Sequence, residues 1–467
     1  MAELIARAEG AQARGDLVAA QPPLEIARGI ADASNHRGLR AAVTAARGHL
    51  AMTLRSPEAA RALLDAARVD AEAAGATALL VTIDTHEGNS FALDAARDPG
   101  AAGAVAWKRA HAAYGAALAR LGAAGGTDTA AASQRARILA NRARAAVLGG
   151  IGGAEDEVEA AASAIARVTA TGARTALLLH LAETRAPRTR DSLAPQDRRA
   201  AHAAASEALA LAEATADARS QALALLTLAR LYRADAQPGS ARASVERALA
   251  AAARAEDPVA RYRGWLATAE LDREAGDDEA ALAAYAQALD EAEALRPLRA
   301  RSYGLDPSLS AERLQAVHLG YVDLVLRRAA RAEADPGGGA ARRDADLALA
   351  QRSLERQKAQ ELRDFFDDEC VDAALRRRVE AGQVDPTAAL VYPIALEDRL
   401  ELVVTSPKGR LRKAVDVPRA RLREVATAFR ELIEIRSHRR YLRPARQLYD
   451  WLIRPIETDL AGWGIGT

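Results

Sequence analysis

Apolar residues recur at helical spacing along most of the chain, and between residues 200 and 290 the pattern itself repeats. Equivalent residues lie 40 positions apart in three sets: Ala201, Ala241 and Ala281; Ala205, Val245 and Tyr285; and Ala208, Ala248 and Ala288. A fixed period of this length is typical of stacked supersecondary units, each of which buries its apolar face against its neighbours. The pattern therefore predicts an array of paired helices.

The best copy of the repeat runs from Trp265 to Ala288. Its first helix contains Trp265 and Ala269 and its second contains Ala281 and Tyr285, an order that resembles the tetratricopeptide repeat. Small residues suit close helix crossings, and Trp265 and Tyr285 are expected to fill the wider space between the helices. Looser copies of the second-helix signature occur at Ala59, Leu63 and Ala66 and at Ala110, Tyr114 and Ala117. The array is therefore expected to begin near the N-terminus, with its first four or five units degenerate.

The repeat departs from the tetratricopeptide family in its length. Its period is 40 residues instead of about 34, and most copies lack the terminal proline. Longer helices account for both differences, but a HEAT-like or armadillo-like array has a repeat of about this length. The register of Trp, Ala and Tyr favours the tetratricopeptide interpretation. Loop signals rich in glycine or proline fall at 122–126, 149–153, 187–195 and 335–339.

A different pattern follows the array. A helical stretch from 342 to about 366 leads into an acidic run, and after Pro386 a period of two replaces the helical period. The predicted elements are strands at 389–396, 400–405 and 411–417, a helix from Pro418, and a helix from Tyr441 to about Leu460 with a kink at Pro455. This part of the chain is predicted to be α/β.

The composition fits a chain that is mostly helical. Aromatic residues make up only 4% of it, which argues against bulky sandwich cores. The 64 basic and 63 acidic side chains leave a net charge of +1, so no global field draws the protein to nucleic acid or to an anionic membrane. The sequence shows no signal peptide and no long uncharged apolar run. These features predict a cytoplasmic protein with no nucleic-acid and no membrane partner.

Several features of the array invite a chemical interpretation that their surroundings do not favour. The segment 149–153 is rich in glycine, but no strand precedes it and no Lys-Ser or Lys-Thr follows, so it predicts a helix connection and not a phosphate loop. His86 lacks the second histidine, four residues on, that a zinc-binding helix needs. His180 and His318 lie on apolar helical stretches without accompanying carboxylates or cysteines. No cofactor-binding or metal-ligating residue is therefore predicted.

The C-terminal part of the chain resembles the bacterial CHAT domains, which are caspase-like cysteine-peptidase domains appended to tetratricopeptide arrays. The resemblance rests on the helix 356–363, the segment 365–371, the hairpin 390–402 and, most specifically, residues 445–455, Ala-Arg-Gln-Leu-Tyr-Asp-Trp-Leu-Ile-Arg-Pro. It covers residues 342–467 and implies a parent protein that is a partner-regulated cysteine peptidase. Its catalytic His and Cys would lie on a central parallel sheet beyond these residues. The domain is therefore expected to be truncated before its catalytic pair.

Two residues have the chemical type of a cysteine-peptidase pair. Cys370, the only cysteine, precedes the first strand at a position that the family also fills with cysteine, and it is interpreted as structural or incidental. His438 lies in the arginine-rich segment 436–443 with no acidic residue close in sequence to orient it. No catalytic residue is assigned, and this chain is expected to be inactive as a peptidase. The segment 436–443 is interpreted as a solvated helix connection, although its charge suits acidic partners.

The sequence thus predicts a mainly α fold in three parts. A tetratricopeptide-like α-solenoid occupies 1–341, a helical connector with an acidic segment occupies 342–387, and the N-terminal portion of a CHAT domain occupies 388–467. The expected function is that of a scaffold that binds a protein or peptide on the concave face of its array. The alternative is a non-catalytic adaptor whose C-terminal segment serves as an interaction module.

Overall fold

A computed structural model describes residues 1–13, 17–53, 56–98, 100–123, 128–186, 195–295, 311–335, 339–366, 388–434 and 439–465. The chain forms two compact units, Met1–Ser310 and Ala311–Thr467. The second unit thus begins before residue 341, at which the sequence pattern changes, because the helices after Ala311 pack within it. Among the described helices, none has the length and apolar character needed to span a membrane.

The described residues of the first unit form fourteen α-helices and no strand. The helices are α1 Ala2–Ala13, α2 Leu17–Ser34, α3 Arg37–Thr53, α4 Pro57–Ala73, α5 Thr77–Arg97, α6 Ala101–Ala123, α7 Thr129–Leu148, α8 Ala154–Ala166, α9 Thr171–Arg185, α10 Pro195–Ala214, α11 Ala218–Ala234, α12 Pro238–Arg254, α13 Pro258–Glu274 and α14 Asp278–Ala294. Consecutive helices pack as pairs, from α1 with α2 to α13 with α14, and each pair packs on the next. This is the arrangement of an α-solenoid.

Helices α11 to α14 show why the repeat is 40 residues long. Each contains 17 residues, and they start 20 residues apart. The middle residues of the short turns before them all have a positive φ: Ala216, Ala236, Glu256 and Gly276. In three of these turns the next residue is an aspartate whose carboxylate accepts hydrogen bonds from the first amides of the following helix: Asp217, Asp257 and Asp277. One helix with its turn therefore takes 20 residues, and one pair takes 40.

The alanines predicted at close helix crossings are buried. Ala241, Ala248, Ala281 and Ala288 are each at most 1% exposed, and Tyr285 is buried beside them. The prediction for Trp265 is wrong in part, because this side chain is only half-buried. Tyr262, about one turn earlier in α13, takes the fully buried position.

We expect Ala281→Leu to lower the free energy of unfolding by about 1–3 kcal/mol, because the larger side chain has no room at this crossing. Ala283→Leu is the matched control, since Ala283 is exposed on the same helix and its replacement should change stability by no more than about 0.5 kcal/mol. Denaturant unfolding of both variants measures the difference. Equal stabilities would contradict the packing register of α14.

The second unit consists of helices around a small sheet. Its elements are α15 Ala311–Ala334, α16 Ala340–Phe366, β1 Leu390–Ala395, β2 Leu400–Ser406, β3 Gly409–Val415, α17 Arg419–Glu434, the 3-10 turn Arg439–Tyr441, α18 Leu442–Leu452 and α19 Arg454–Gly462. The strands form an antiparallel sheet in the order β1-β2-β3, in which Val403 pairs with Tyr392 on one side and Arg412 on the other. The three predicted strands are therefore present.

The central strand β2 is covered on both faces. Leu400, Leu402 and Val404 are buried against Ile456 and Leu460 of α19. Trp451 and Leu452 of α18 pack on the same cluster. On the opposite face, Thr405 Oγ1 donates to Gln351 Oε1 of α16 at 2.9 Å.

The single kinked helix predicted from Tyr441 to Leu460 is two helices. α18 ends at Leu452, and α19 begins at Arg454 with Pro455 in its first turn. A proline in the first turn of a helix removes no intrahelical hydrogen bond, whereas in the interior it would. The predicted kink is therefore a break.

Candidate functional site

The first helices of successive pairs form one layer of the first unit. Backbone contacts link α3 to α5, α7 to α9, α9 to α11 and α11 to α13. Arg263 Nη2 on α13 lies 3.8 Å from Glu183 Oε1 on α9, two helices away in this layer. Neighbouring helix axes lie about 8–10 Å apart, and long side chains of α9 and α13 meet over α11 more easily when the layer curves toward them. We infer that the face that carries Arg263 and Glu183 is the inner, concave side of the layer.

Polar side chains follow one another across this face. Three helices each contribute two residues that lie three positions apart: His86 and Asn89 on α5, Asn141 and Arg144 on α7, and His180 and Glu183 on α9. Residues three apart share one side of a helix. Asn141 Nδ2 donates to Asn89 Oδ1 at 3.2 Å, and Arg144 Nη1 lies 3.6 Å from Glu183 Oε2. All six residues are half-buried, and we call them the inner polar strip.

The histidines of the strip are neutral near pH 7. His49 of α3 stacks on His86 with 4.4 Å between the ring centroids. Burial and the neighbouring His49 lower the pKa of His86 to about 3, and burial with the charge of Arg144 lowers the pKa of His180 to about 4. His86 Nδ1 and His180 Nε2 are buried and have no hydrogen-bond partner in the part of the chain that the structure describes. Buried ring nitrogens of this kind are normally matched by a ligand, water or protein group.

Tyr114 of α6 supports the strip from behind. It is 2% exposed, and its Oη donates to Asn89 Oδ1 at 2.8 Å. Burial raises the pKa of Tyr114, so the hydroxyl keeps its proton. The ring lies against Gly88, where a Cβ atom would be 2.5 Å from Tyr114 Cε1. Because Asn89 Oδ1 accepts from both Tyr114 and Asn141, the side chain is fixed with its NH2 group directed away from both donors.

The two ends of the strip differ in charge. At the α5 end the groups are neutral imidazoles and amides, whereas Arg144 and Arg263 flank Glu183 at the other end. Both ion pairs exceed the distance of a hydrogen bond. Arg144 is 28% exposed and makes no hydrogen bond to any described residue, so its guanidinium donors can serve a ligand. The strip therefore offers donors and acceptors along one side of three helices, and its one cation, Arg144, and its one anion, Glu183, balance in charge.

The other residues that the sequence offered as candidate site residues lie away from the inner polar strip or outside the residues that the structure describes. Segment 149–153 connects α7 to α8, as the sequence predicts, and Gly153 starts α8 with a φ of 78°. His318 is buried on α15. Cys370 and His438 lie outside the described residues. Within the described ranges, no group of three His, Cys, Asp or Glu side chains is placed to hold a metal ion.

Sequence reasoning missed the inner polar strip as a site. The sequence argues against metal binding by His86 and by His180 separately, because neither has a second metal ligand close by in the sequence. The signal that was present is the same three-residue spacing of polar side chains in α5, α7 and α9. That signal becomes meaningful only once the three helices are known to be neighbours.

A second polar cluster lies inside the second unit. Glu401 of β2 is fully buried, with its Oε1 2.6 Å from Arg399 Nε and its Oε2 2.9 Å from Arg412 Nε. Asp323 of α15 lies 2.7 Å from Arg399 Nη2 and adds a second negative charge. Asp398 lies 3.0 Å from Arg399 Nη1, and Glu333 lies 3.3 Å from Arg412 Nη1. Arg327 contacts both Asp323 and Asp398 at 3.1 Å, so three cations and four carboxylates form one network. The cluster joins β2 and β3 to α15, and its closed packing is that of a structural group.

No protein-family model matches the chain, and the search of curated proteins found no match either.

Proposed function

We propose that this protein is a protein-binding scaffold whose helical array holds a polypeptide segment along the inner polar strip. The observation that carries the proposal is the row of six half-buried polar side chains on three neighbouring helices of a concave face. Stacked helix pairs present long concave surfaces of this kind to extended partners.

The chemistry of the strip suits a peptide backbone. A peptide presents N–H donors and C=O acceptors in turn. The strip supplies donors at Asn89 and Arg144 and an acceptor at Glu183. The free guanidinium donors of Arg144 favour a segment with a carboxylate at that end.

Binding should weaken when the strip is altered and persist when its surroundings are altered. We expect Asn141→Ala and Arg144→Ala each to weaken binding by roughly tenfold or more, because each removes hydrogen bonds from a partly desolvated groove. The measurement uses the full chain to select peptides from a displayed random library, followed by titration of the selected peptides with each variant. Arg135→Ala is the matched control, since Arg135 is exposed on the same helix but lies on the side away from Arg144.

Gly152→Ala tests the glycine-rich connection separately and should leave affinity unchanged, because a Cβ at Gly152 meets open space. The proposal fails if the library yields no binding peptide, or if the selected peptides bind the strip variants and the controls equally well.

We also propose that the second unit is related to the CHAT domains and that a complete domain would act as a partner-regulated cysteine peptidase. Support comes from residues 445–455 and from the succession of three strands and amphipathic helices. Nucleotide sequence after the codon for Thr467 tests the relation: an apolar strand, a His-Gly and a later Cys would support it. A stop codon there would favour the adaptor alternative.

A further inference from the structure

One exposed face of the second unit carries arginine and apolar side chains together. This face runs from the 3-10 turn through α18, and helical spacing places its residues on one side of the helix. The residues are Arg439, Leu442, Arg443, Arg446 and Tyr449. All five are exposed. Leu442 and Tyr449 are 39% and 40% exposed, which is unusual for large apolar side chains in this unit. We call these five residues the α18 basic face.

The arginines of this face have no acidic partner among the described residues. Arg439, Arg443 and Arg446 form no ion pair there. In the sheet of the same unit, by contrast, Arg399, Arg410 and Arg412 are each paired with a carboxylate. Like charges three or four residues apart on a helix repel each other. The α18 basic face therefore keeps a local positive charge that the rest of the unit does not neutralise.

Two acidic residues beside this face, Asp450 and Glu457, are already engaged. Asp450 Oδ1 lies 3.0 Å from Arg454 Nη1. The guanidinium of Arg454 in turn lies over the ring of Tyr449, 6.0 Å from its centroid, and Tyr449 Oη donates to Glu457 Oε1 at 2.8 Å. These contacts hold the Tyr449 ring in place at the surface, so a partner would meet an ordered side chain.

The apolar residues of the face are not needed for the core of the unit. α18 contributes Trp451 and Leu452 to the apolar cluster around Leu402, and Trp451 lies on the side of the helix opposite Leu442. Leu442 and Tyr449 are not part of that cluster and are exposed beside arginines. A helix that already buries one apolar side and still exposes apolar residues on the other has a surface suited to a partner.

We propose that the α18 basic face binds an acidic polypeptide segment that carries apolar side chains between its carboxylates. Arginine pairs with carboxylates through two parallel hydrogen bonds, and three arginines with free donors favour an acidic partner. Arginine and tyrosine are also the residues that most often dominate the energetics of protein interfaces. A partner with charge alone would leave Leu442 in water, whereas a segment with leucines beside its carboxylates covers it.

The probe is a fluorescein-labelled synthetic helix with glutamates and leucines on one face, titrated with the full chain by fluorescence anisotropy. We expect Arg443→Glu combined with Arg446→Glu to weaken binding by roughly tenfold or more, because attraction becomes repulsion. The matched control combines Arg167→Glu with Arg199→Glu, two exposed arginines of the first unit, and should change affinity by no more than about twofold. Leu442→Ser should weaken binding by roughly threefold or more, which separates joint recognition from charge alone.

Circular dichroism melts establish that the charge-reversal variant is folded, and Arg443→Gln with Arg446→Gln replaces it if it is not. Equal affinity of the α18 variant and the control variant would overturn the proposal, and so would an absence of binding by the unmodified chain. Phosphatidylserine vesicles and single-stranded DNA are tested in parallel. If either of these binds the chain more tightly than the synthetic helix does, and binding depends on Arg443 and Arg446 in the same way, the face binds lipid or nucleic acid. That result would also overturn the proposal.

Discussion

Glu401→Ala is expected to lower the free energy of unfolding of the second unit by about 3–5 kcal/mol. The carboxylate is fully buried between Arg399 and Arg412. Its removal takes away the one fully buried carboxylate between two half-buried guanidinium groups. Among the described residues, their desolvation is then offset only by carboxylates nearer the surface, Asp323 and Asp398 beside Arg399 and Glu333 beside Arg412. The penalty for breaking one side of a buried ion cluster is far larger than the loss of an exposed ion pair.

Chemical denaturation followed by tryptophan fluorescence measures this effect, because Trp451 and Trp463 lie in the second unit. Glu397→Ala is the control, since Glu397 is exposed in the turn before β2 and its loss should stay within about 0.5 kcal/mol. A Glu401→Ala variant as stable as the Glu397→Ala variant would show that the cluster does not hold β2 and β3 to α15.

Tyr114→Ala is expected to destabilise the first unit by about 3–5 kcal/mol. The ring is 2% exposed, and it fills the space between α5 and α6 against Gly88. Alanine would leave a cavity, because the backbone of the two helices is fixed by many other contacts and closes only in part. The substitution also removes the hydroxyl that holds Asn89, so the inner polar strip should lose order at its α5 end.

Tyr114→Phe separates the two effects. It keeps the packing and removes one hydrogen bond, so its loss of stability should be about 0.5–1.5 kcal/mol. Thermal or denaturant unfolding compares the two variants with the parent protein. If alanine and phenylalanine lower stability to the same extent, the packing of the ring contributes little and the described core around α5 and α6 is wrong.

The helical array follows from sequence because its signal is local and repeated. Ala281 and Ala288 recur at the period of the repeat, and small residues at fixed spacing indicate where helices cross. Tyr114 was found in the same way, by its place between Ala110 and Ala117. The burial of Trp265 was predicted less well. The rotation of α13 against its neighbours decides whether Tyr262 or Trp265 is buried, and the repeat pattern does not fix that rotation.

The sites were harder to predict than the fold because they depend on contacts distant in sequence. In β2, Leu400, Leu402 and Val404 alternate with other residues, and this pattern predicts one buried face. The same pattern assigns Glu401 to solvent, yet α15 and α16 cover that second face and bury it. The inner polar strip likewise joins α5, α7 and α9, and the order of these helices in space was needed before their polar residues formed one row.

The equal spacing of α11 to α14 limits how such an array can evolve. Each helix and turn advances the chain by the same number of residues, so a recombination between two equivalent turns adds or removes a whole pair and preserves every later contact. A deletion of a single residue within a helix would instead rotate all following side chains of that helix by about 100° about its axis. Buried alanines would then face solvent. Changes in gene length are therefore expected to survive selection in whole units of one pair, and the reach of the concave surface would change in the same steps.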